Sequence, residues 1–384
     1  MCSLPSSDPD RPQITQPTGG DHGAKVHPPG RCPLSSAPLT AITRYKLRKL
    51  LKYGLITLAV AWMLTLFSGD RGRTYFGAWS LLGLWTGVLE EFFLGRRFRA
   101  LAIPLQILGK VLLVNLFTVL LLSLALIAEP DVLLPGFDDQ PLHVGGLFAQ
   151  ASFYRMALRV AVVSSIAIVV VQLEELMGRR MFLGLLLGRY DRPTAEERIV
   201  LTMDLVGSTA LAERLGDLHY YRFLNTTYSL MTDALLRNEA DIHKYIGDEV
   251  IFTWPMRTGL REANCLDLYF DIQDRIQDHA AELEQEFGVV PEYRGALHGG
   301  RLISAQIGHI KRAIDFSGDV MNTVSRMLGL CKSMKARLLV SSGLLERIPD
   351  PGSRFRFGEE QVMPVRGRKR ELSVRSVDRI APEP

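Results

Sequence analysis

Two aspartates frame the chemistry open to this sequence. Asp204 closes the apolar run 199–203 in RIVLTMDLVGST. Asp248 sits in IHKYIGDEVIFTW, between two runs rich in β-branched and aromatic residues. That second stretch has the pattern of a β-hairpin with Gly247-Asp248 at its turn. A Gly-Asp turn alone is an ordinary structural device. Two carboxylates at the ends of neighbouring strands make a hard oxygen site, suited to Mg²⁺ or Mn²⁺, which favour carboxylates together with substrate phosphates. After Asp204, Leu205-Val-Gly-Ser-Thr209 turns into a predicted helix. Its free N–H groups and dipole favour a polyphosphate near Gly207, Ser208 and Thr209. No Walker-type loop (GxxxxGK followed by Ser or Thr) occurs, so the phosphates are not held in a P-loop.

Other polar residues fall where they could serve the same cleft. Strand alternation puts Lys244, Ile246 and Asp248 on one face, although a lone lysine is ordinarily a solvated charge. In AIDFSGDVMNTVSRM, Asp315 precedes Gly318, and Asn322 and Arg326 follow at i and i+4 on one face of a predicted helix. Asn can position a ribose or ring oxygen and Arg can clamp phosphate charge. A capped helix with a polar stripe gives the same pattern.

These residues need elements to hold them. The 384-residue chain has room for two or three domains. It is 47% hydrophobic yet 22% charged, which suggests a membrane part joined to a soluble part. A net charge of +4 makes no case for nucleic acid as a partner. Cys2, Cys32, Cys265 and Cys331 have no CxxC spacing and read as reduced thiols. Residues 1–43 are a Pro/Ser/Gly/Thr-rich tail expected to be disordered, without the apolar core of a signal peptide. Residues 44–175 hold four apolar segments, 53–67, 76–93, 101–127 and 157–173, read as a four-helix transmembrane domain in contact with lipid. Lys and Arg mostly flank one side, the loop 129–150 has neither, and the first loop, with Arg71 and Arg73, fits this bias less well. The positive-inside rule then puts both termini in the cytoplasm. Glu90, Glu91, Lys110 and Arg159 at membrane depth can mark a ligand site, or can pair between helices or snorkel. Residues 176–197 are a connector, and 198–380 alternate strands and helices around the hairpin, an α+β pattern of one sheet with helices on one face. Within it, strands are expected near 291–298 and again at 301–307.

MDLVGST, KYIGDE and DFSGDVMNTVSRM, in this order and spacing, resemble the catalytic domain of class III nucleotidyl cyclases, over roughly half the chain. The resemblance implies a ferredoxin-like core and conversion of ATP to cyclic AMP and pyrophosphate at the inner membrane. Asp204 and Asp248, with the carbonyl of Leu205, match the ligands of two Mg²⁺ or Mn²⁺ ions. Lys244 and Asp315 match the pair that selects adenine; guanylyl cyclases tend to carry Glu and a small residue such as Cys there. Asn322 and Arg326 match the pair that orients the ribose and stabilises the transition state. Arg366 stands where the family has a phosphate-binding Lys, which keeps the charge and changes the geometry. The family builds its sites across a head-to-tail dimer, and since this chain carries both sets of residues, the resemblance implies a homodimer. Beside a transporter with a cytoplasmic regulatory domain, against which four short spans without an internal repeat argue weakly, two alternatives remain. One is a guanylate cyclase, disfavoured by Lys244 and Asp315. The other is a catalytically silent membrane signalling module, which would ordinarily have lost a metal aspartate or the arginine.

Overall fold

The structure, a computed structural model, describes residues 41–68, 75–94, 102–128, 151–310, 313–349, 351–363 and 371–380. Four helices come first: α1 (Ala41–Ser68), α2 (Tyr75–Val88, running on into a π-helical turn, Leu89–Leu94), α3 (Ile103–Ala128) and α4 (Ala151–Met177). They contain the four apolar segments read from the sequence. Tyr53, Ala167, Ile168 and Val171 form one small buried cluster between them, and Leu89, Val114 and Val160 another. Lys110 and Glu90 pair at 2.9 Å with side chains only 7% and 6% exposed, and Tyr53 donates to the second Glu90 oxygen. Outward, α3 presents Leu105, Leu108, Leu112, Leu116 and Leu120, each between 55% and 66% exposed. Among the described residues, one helix, Phe153–Met177, is long and apolar enough to cross a membrane; Pro104–Leu120 is a shorter apolar stretch. Most of the tail, and the loops whose charges set the expected orientation, lie outside the described residues.

A short helix, α5 (Arg179–Leu186), leads to the sheet. The order along the chain is β1 (Thr194–Leu205), α6 (Ser208–Leu215), α7 (Asp217–Leu230), α8 (Thr232–Arg237), β2 (Asp241–Ile246), β3 (Glu249–Pro255), α9 (Met256–Leu260), α10 (Asn264–Asp278), α11 (Ala280–Phe287), β4 (Tyr293–Ile307), β5 (Ala313–Ser317), α12 (Asp319–Ser333), β6 (Leu338–Ser341), α13 (Ser342–Leu345), β7 (Phe355–Phe357), β8 (Gln361–Met363) and β9 (Leu372–Arg379). The strands form one mixed sheet in the order β2-β3-β1-β4-β6-β9-β7, with β5 on β4 and β8 on β9. β4 and β6 run parallel, whereas β1 pairs antiparallel with both β3 and β4.

Central β1 explains the layers. Its run Ile199–Met203 has no alternation of polar and apolar residues, the signature of a strand buried on both faces. Ile199, Leu201 and Met203 pack with Phe223 of α7 and Tyr269 and Ile272 of α10. Val200 packs with Val320, Val324 and Met327 of α12. Helices therefore cover both faces of the sheet, not the single face expected. A second correction concerns β4, a continuous strand where two were expected. Gly299-Gly300 reads as a break but serves close packing. A Cβ on Gly299 would lie 2.9 Å from Leu344 Cδ1, and one on Gly300 3.0 Å from Val320 Cγ2. Cys265 and Cys331 are buried free thiols, both pushed up to about 12 by burial, as expected of reduced cysteines.

α12 holds its place by the residues Val320, Thr323, Val324, Met327 and Cys331, one face of a helix. Met327→Ala should cost about 2–5 kcal/mol by leaving a cavity under that face. The exposed Asn322→Ala should cost less than about 0.5 kcal/mol. Thermal unfolding of the two variants in detergent checks the contrast.

Candidate active site

β1 ends at Asp204-Leu205 beside the turn of the β2–β3 hairpin, because Met203 pairs with Val250 of β3. That turn is Gly247-Asp248, as expected. Gly247 has φ 64°, a left-handed conformation that favours glycine, and its carbonyl accepts from Tyr228 Oη at 3.0 Å. Burial, then the charge of Asp248 and a hydrogen bond with it, push the Asp204 carboxyl up to about 6, while Arg294 pulls the other way. Glu249 is also pushed up, by burial and by Asp248. One oxygen of Asp248, Oδ2, is buried with no hydrogen-bond partner. Tyr220 and Tyr228 lie close enough to feel these carboxylates, and burial followed by Asp248 raises both phenols. Tyr293 is raised too, chiefly by burial, and its Oη also lacks a partner. The corner thus gathers three carboxylates against one nearby cation, Arg294.

A second constellation joins β2 to β5. Lys244 Nζ lies 3.2 Å from Asp315 Oδ2, so the structure brings together the two residues expected to select the base. His243 Nε2 lies 3.1 Å from Asp315 Oδ1, and the Phe316 N–H donates to the same oxygen at 2.9 Å. Partial burial would raise the Asp315 carboxyl. Hydrogen bonds from Lys244, the Phe316 N–H and His243 outweigh it and hold the group below its ordinary value. Asp315 is therefore an ionised acceptor beside a donor cation.

The remaining candidates are placed as follows. Asn322 and Arg326 share the exposed face of α12, opposite its buried stripe. Gly207 precedes α6, and Ser208 and Thr209 begin it. Arg366 lies outside the described residues. Asp204 pairs with Arg294 at the start of β4, and Asp315 pairs with Ala305 near its end. The acid pair and the base pair thus attach to opposite ends of one strand. Two neighbours escaped the sequence reading. Arg294 stands across from Asp204, and His243 backs Asp315. Only strand register reveals either.

Residues 192–374 match the family model for the adenylate and guanylate cyclase catalytic domain. "Adenylate cyclase 2" of Rhizobium meliloti (strain 1021) is 38% identical over 244 residues, 62% of this chain and 66% of that protein. That share exceeds what the sheet domain alone supplies, so the likeness reaches into the helices before it. "Adenylate cyclase" of Anabaena cylindrica is 24% identical over 181 residues, 46% of this chain and 36% of its own length. The chain thus spans about two thirds of the first relative and about a third of the second. A solved bacterial light-regulated adenylyl cyclase shares the fold, with a TM-score of 0.50 at 17% identity, over 60% of this chain and 67% of that one. By this match and the Rhizobium relative, residues 192–374 of this chain are a class III nucleotidyl cyclase catalytic domain.

Proposed function

We propose that this protein is an adenylate cyclase, converting ATP to 3′,5′-cyclic AMP and pyrophosphate. The observation that carries the choice of base is the Lys244–Asp315 pair at 3.2 Å. A fixed cation donor beside an ionised acceptor complements adenine, whose N1 accepts and whose 6-amino group donates. Guanine presents the opposite pattern, a donor at N1 and an acceptor at O6. The same pair therefore speaks against the guanylate alternative.

The acid corner fits a divalent cation. Two neighbouring carboxylates, one with an orphaned buried oxygen and the other raised by burial and repulsion, are what an absent positive charge leaves behind. Among the described residues no group of three or more His, Cys, Asp or Glu side chains is placed to hold a metal. Asp204, Asp248 and the Leu205 carbonyl would then leave coordination positions for substrate phosphate and water, as Mg²⁺ prefers. One or two such ions supply Lewis-acid charge to the triphosphate and the ribose hydroxyl.

The chain's own residues position and neutralise. Asn322 orients the ribose so that its 3′-oxygen stands in line with the α-phosphorus. That oxygen forms the new bond as the bond to the β-phosphate oxygen breaks, and pyrophosphate leaves with the electron pair. The hydroxyl proton passes to water or substrate. Arg326 stabilises charge gathering on the α-phosphoryl oxygens. The start of α6 and the cation of Arg294, across from Asp204, would serve the leaving polyphosphate. Because the acid pair and Asp315 attach to opposite ends of β4, a head-to-tail homodimer with two equivalent sites best unites them. The apolar length of α4 supports a membrane anchor and the outward leucines of α3 fit a second lipid-facing helix; the reading of four spans in the inner membrane, with the catalytic domain in the cytoplasm, rests otherwise on the sequence.

Asp204→Ala in the full chain should abolish cyclic AMP synthesis; wild-type turnover by this variant sinks the metal assignment. Lys244→Glu combined with Asp315→Cys should move preference toward GTP, read by product analysis with both nucleotides. Asp204 also sets a pH dependence. Its folded value, about 6, lies above the unfolded one. In metal-free protein its stabilising contribution is complete below the unfolded value and lost as pH rises through about 6. With partial exposure discounted, the loss is about 1 kcal/mol. Mn²⁺ should therefore raise the melting temperature more at pH 7.5 than at pH 5, and Asp204→Asn should melt higher without metal yet respond less to Mn²⁺.

A further inference from the structure

We propose that His243 is a positioning residue for base selection, whose ring fixes the Asp315 carboxylate as an acceptor aimed at the purine. The proposal rests on the base-selecting reading of Lys244 and Asp315.

The geometry begins with a β-bulge. Ile242 pairs with Phe252 and Lys244 with Ile251, so His243 is the extra residue in β2. A bulge re-aims side chains that strict alternation would send to opposite faces. Here it lets His243 and Lys244, neighbours in sequence, both reach Asp315. The two are not equivalent. The Lys244 side chain is largely exposed, whereas that of His243 is 1% exposed. The His243 ring stacks on Phe316 with centroids 4.2 Å apart and planes 11° from parallel. Phe316 is also covered by the Arg198 guanidinium, 4.9 Å from its centroid. The imidazole is therefore clamped.

An ionised carboxylate only accepts, so the proton of the His243–Asp315 bond is assigned to Nε2. Burial lowers the imidazole pKa and keeps the ring neutral near pH 7. Nδ1 is then a bare nitrogen, and it is buried with no partner. A phenylalanine or leucine would pack on Phe316 without leaving that polar atom unsatisfied. What the histidine adds is the Nε2 donor.

That donor completes a count. A carboxylate has about four lone-pair sites. Oδ1 takes His243 and the Phe316 N–H, and Oδ2 takes Lys244. The remaining acceptor site is on Oδ2, beside the lysine. An exocyclic amino group satisfies it, and a carbonyl oxygen is repelled by it. Without His243, Asp315 could swing about its side-chain torsions and present either oxygen.

The test compares full-length variants in detergent, supplied with ATP and GTP in competition. His243→Phe keeps the stacked ring and removes the donor. It should raise KM for ATP about tenfold and lower the ATP-over-GTP ratio of kcat/KM by a similar factor, with kcat and melting temperature little changed. His243→Gln, whose amide nitrogen reaches about as far as Nε2, should restore most of the ratio. His243→Leu replaces the Phe variant if that one does not accumulate. In an Asp315→Ala background, His243→Phe should have no further effect on the ratio. If His243→Phe keeps the wild-type ratio while Lys244→Glu collapses it, the role of His243 is overturned and the base-selecting reading stands. If Lys244→Glu also keeps the ratio, the base-selecting reading itself fails. Loss of kcat together with melting temperature, unrelieved by His243→Gln, would make His243 a packing residue and overturn the proposal.

Discussion

Like charges brought together at the end of a buried strand are the constraint on which this site depends. Asp204 and Asp248 meet because β1 and the β2–β3 hairpin are fixed by strand pairing, not because the carboxylates attract. Burial first, and the Asp248 charge second, push the Asp204 carboxyl up to about 6. A fold that holds such a pair open bears that energy in the resting state. Positive charge placed beside the two carboxylates would relieve it.

β4 turns that corner into half of a site. The strand is long enough to carry Arg294 opposite Asp204 at one end and Ala305 opposite Asp315 at the other. α12 leaves β5 directly and lies back on the sheet, which fixes Asn322 and Arg326 relative to Asp315. The two groups of residues are thereby held apart along the length of one strand.

Much of this was legible in the sequence, for reasons tied to particular residues. Asp204, Asp248, Lys244 and Asp315 were visible because each adjoins a glycine turn or a strand of plain periodicity. The hairpin at Gly247 and the helix beginning at Asp319 followed from turn and helix signals. The second helical layer was missed, although an unbroken run from Ile199 to Met203 already implied burial on both faces. The continuity of β4 across Gly299-Gly300 is not legible locally, because glycine marks turns and close approaches alike and only the neighbours Leu344 and Val320 decide between them. Arg294 and His243 were illegible in principle. Their roles arise from cross-strand partners and from a bulge, and neither is encoded locally.

The connector bears on the same edge of the sheet. Arg180 of α5 pairs with Asp241 at 2.8 Å, at the start of the strand that carries His243 and Lys244. The Gln306 N–H donates to the Tyr190 carbonyl at 3.1 Å, which ties the connector to β4 beside β5. The ion pair is about one-third exposed, so its own energy is small. Its location matters more than its strength. Gly184 sits against the Tyr190 ring with no room for a Cβ, so α5 and the connector turn move as one packed piece. Both contacts lie nearer the Lys244–Asp315 pair than the Asp204–Asp248 corner.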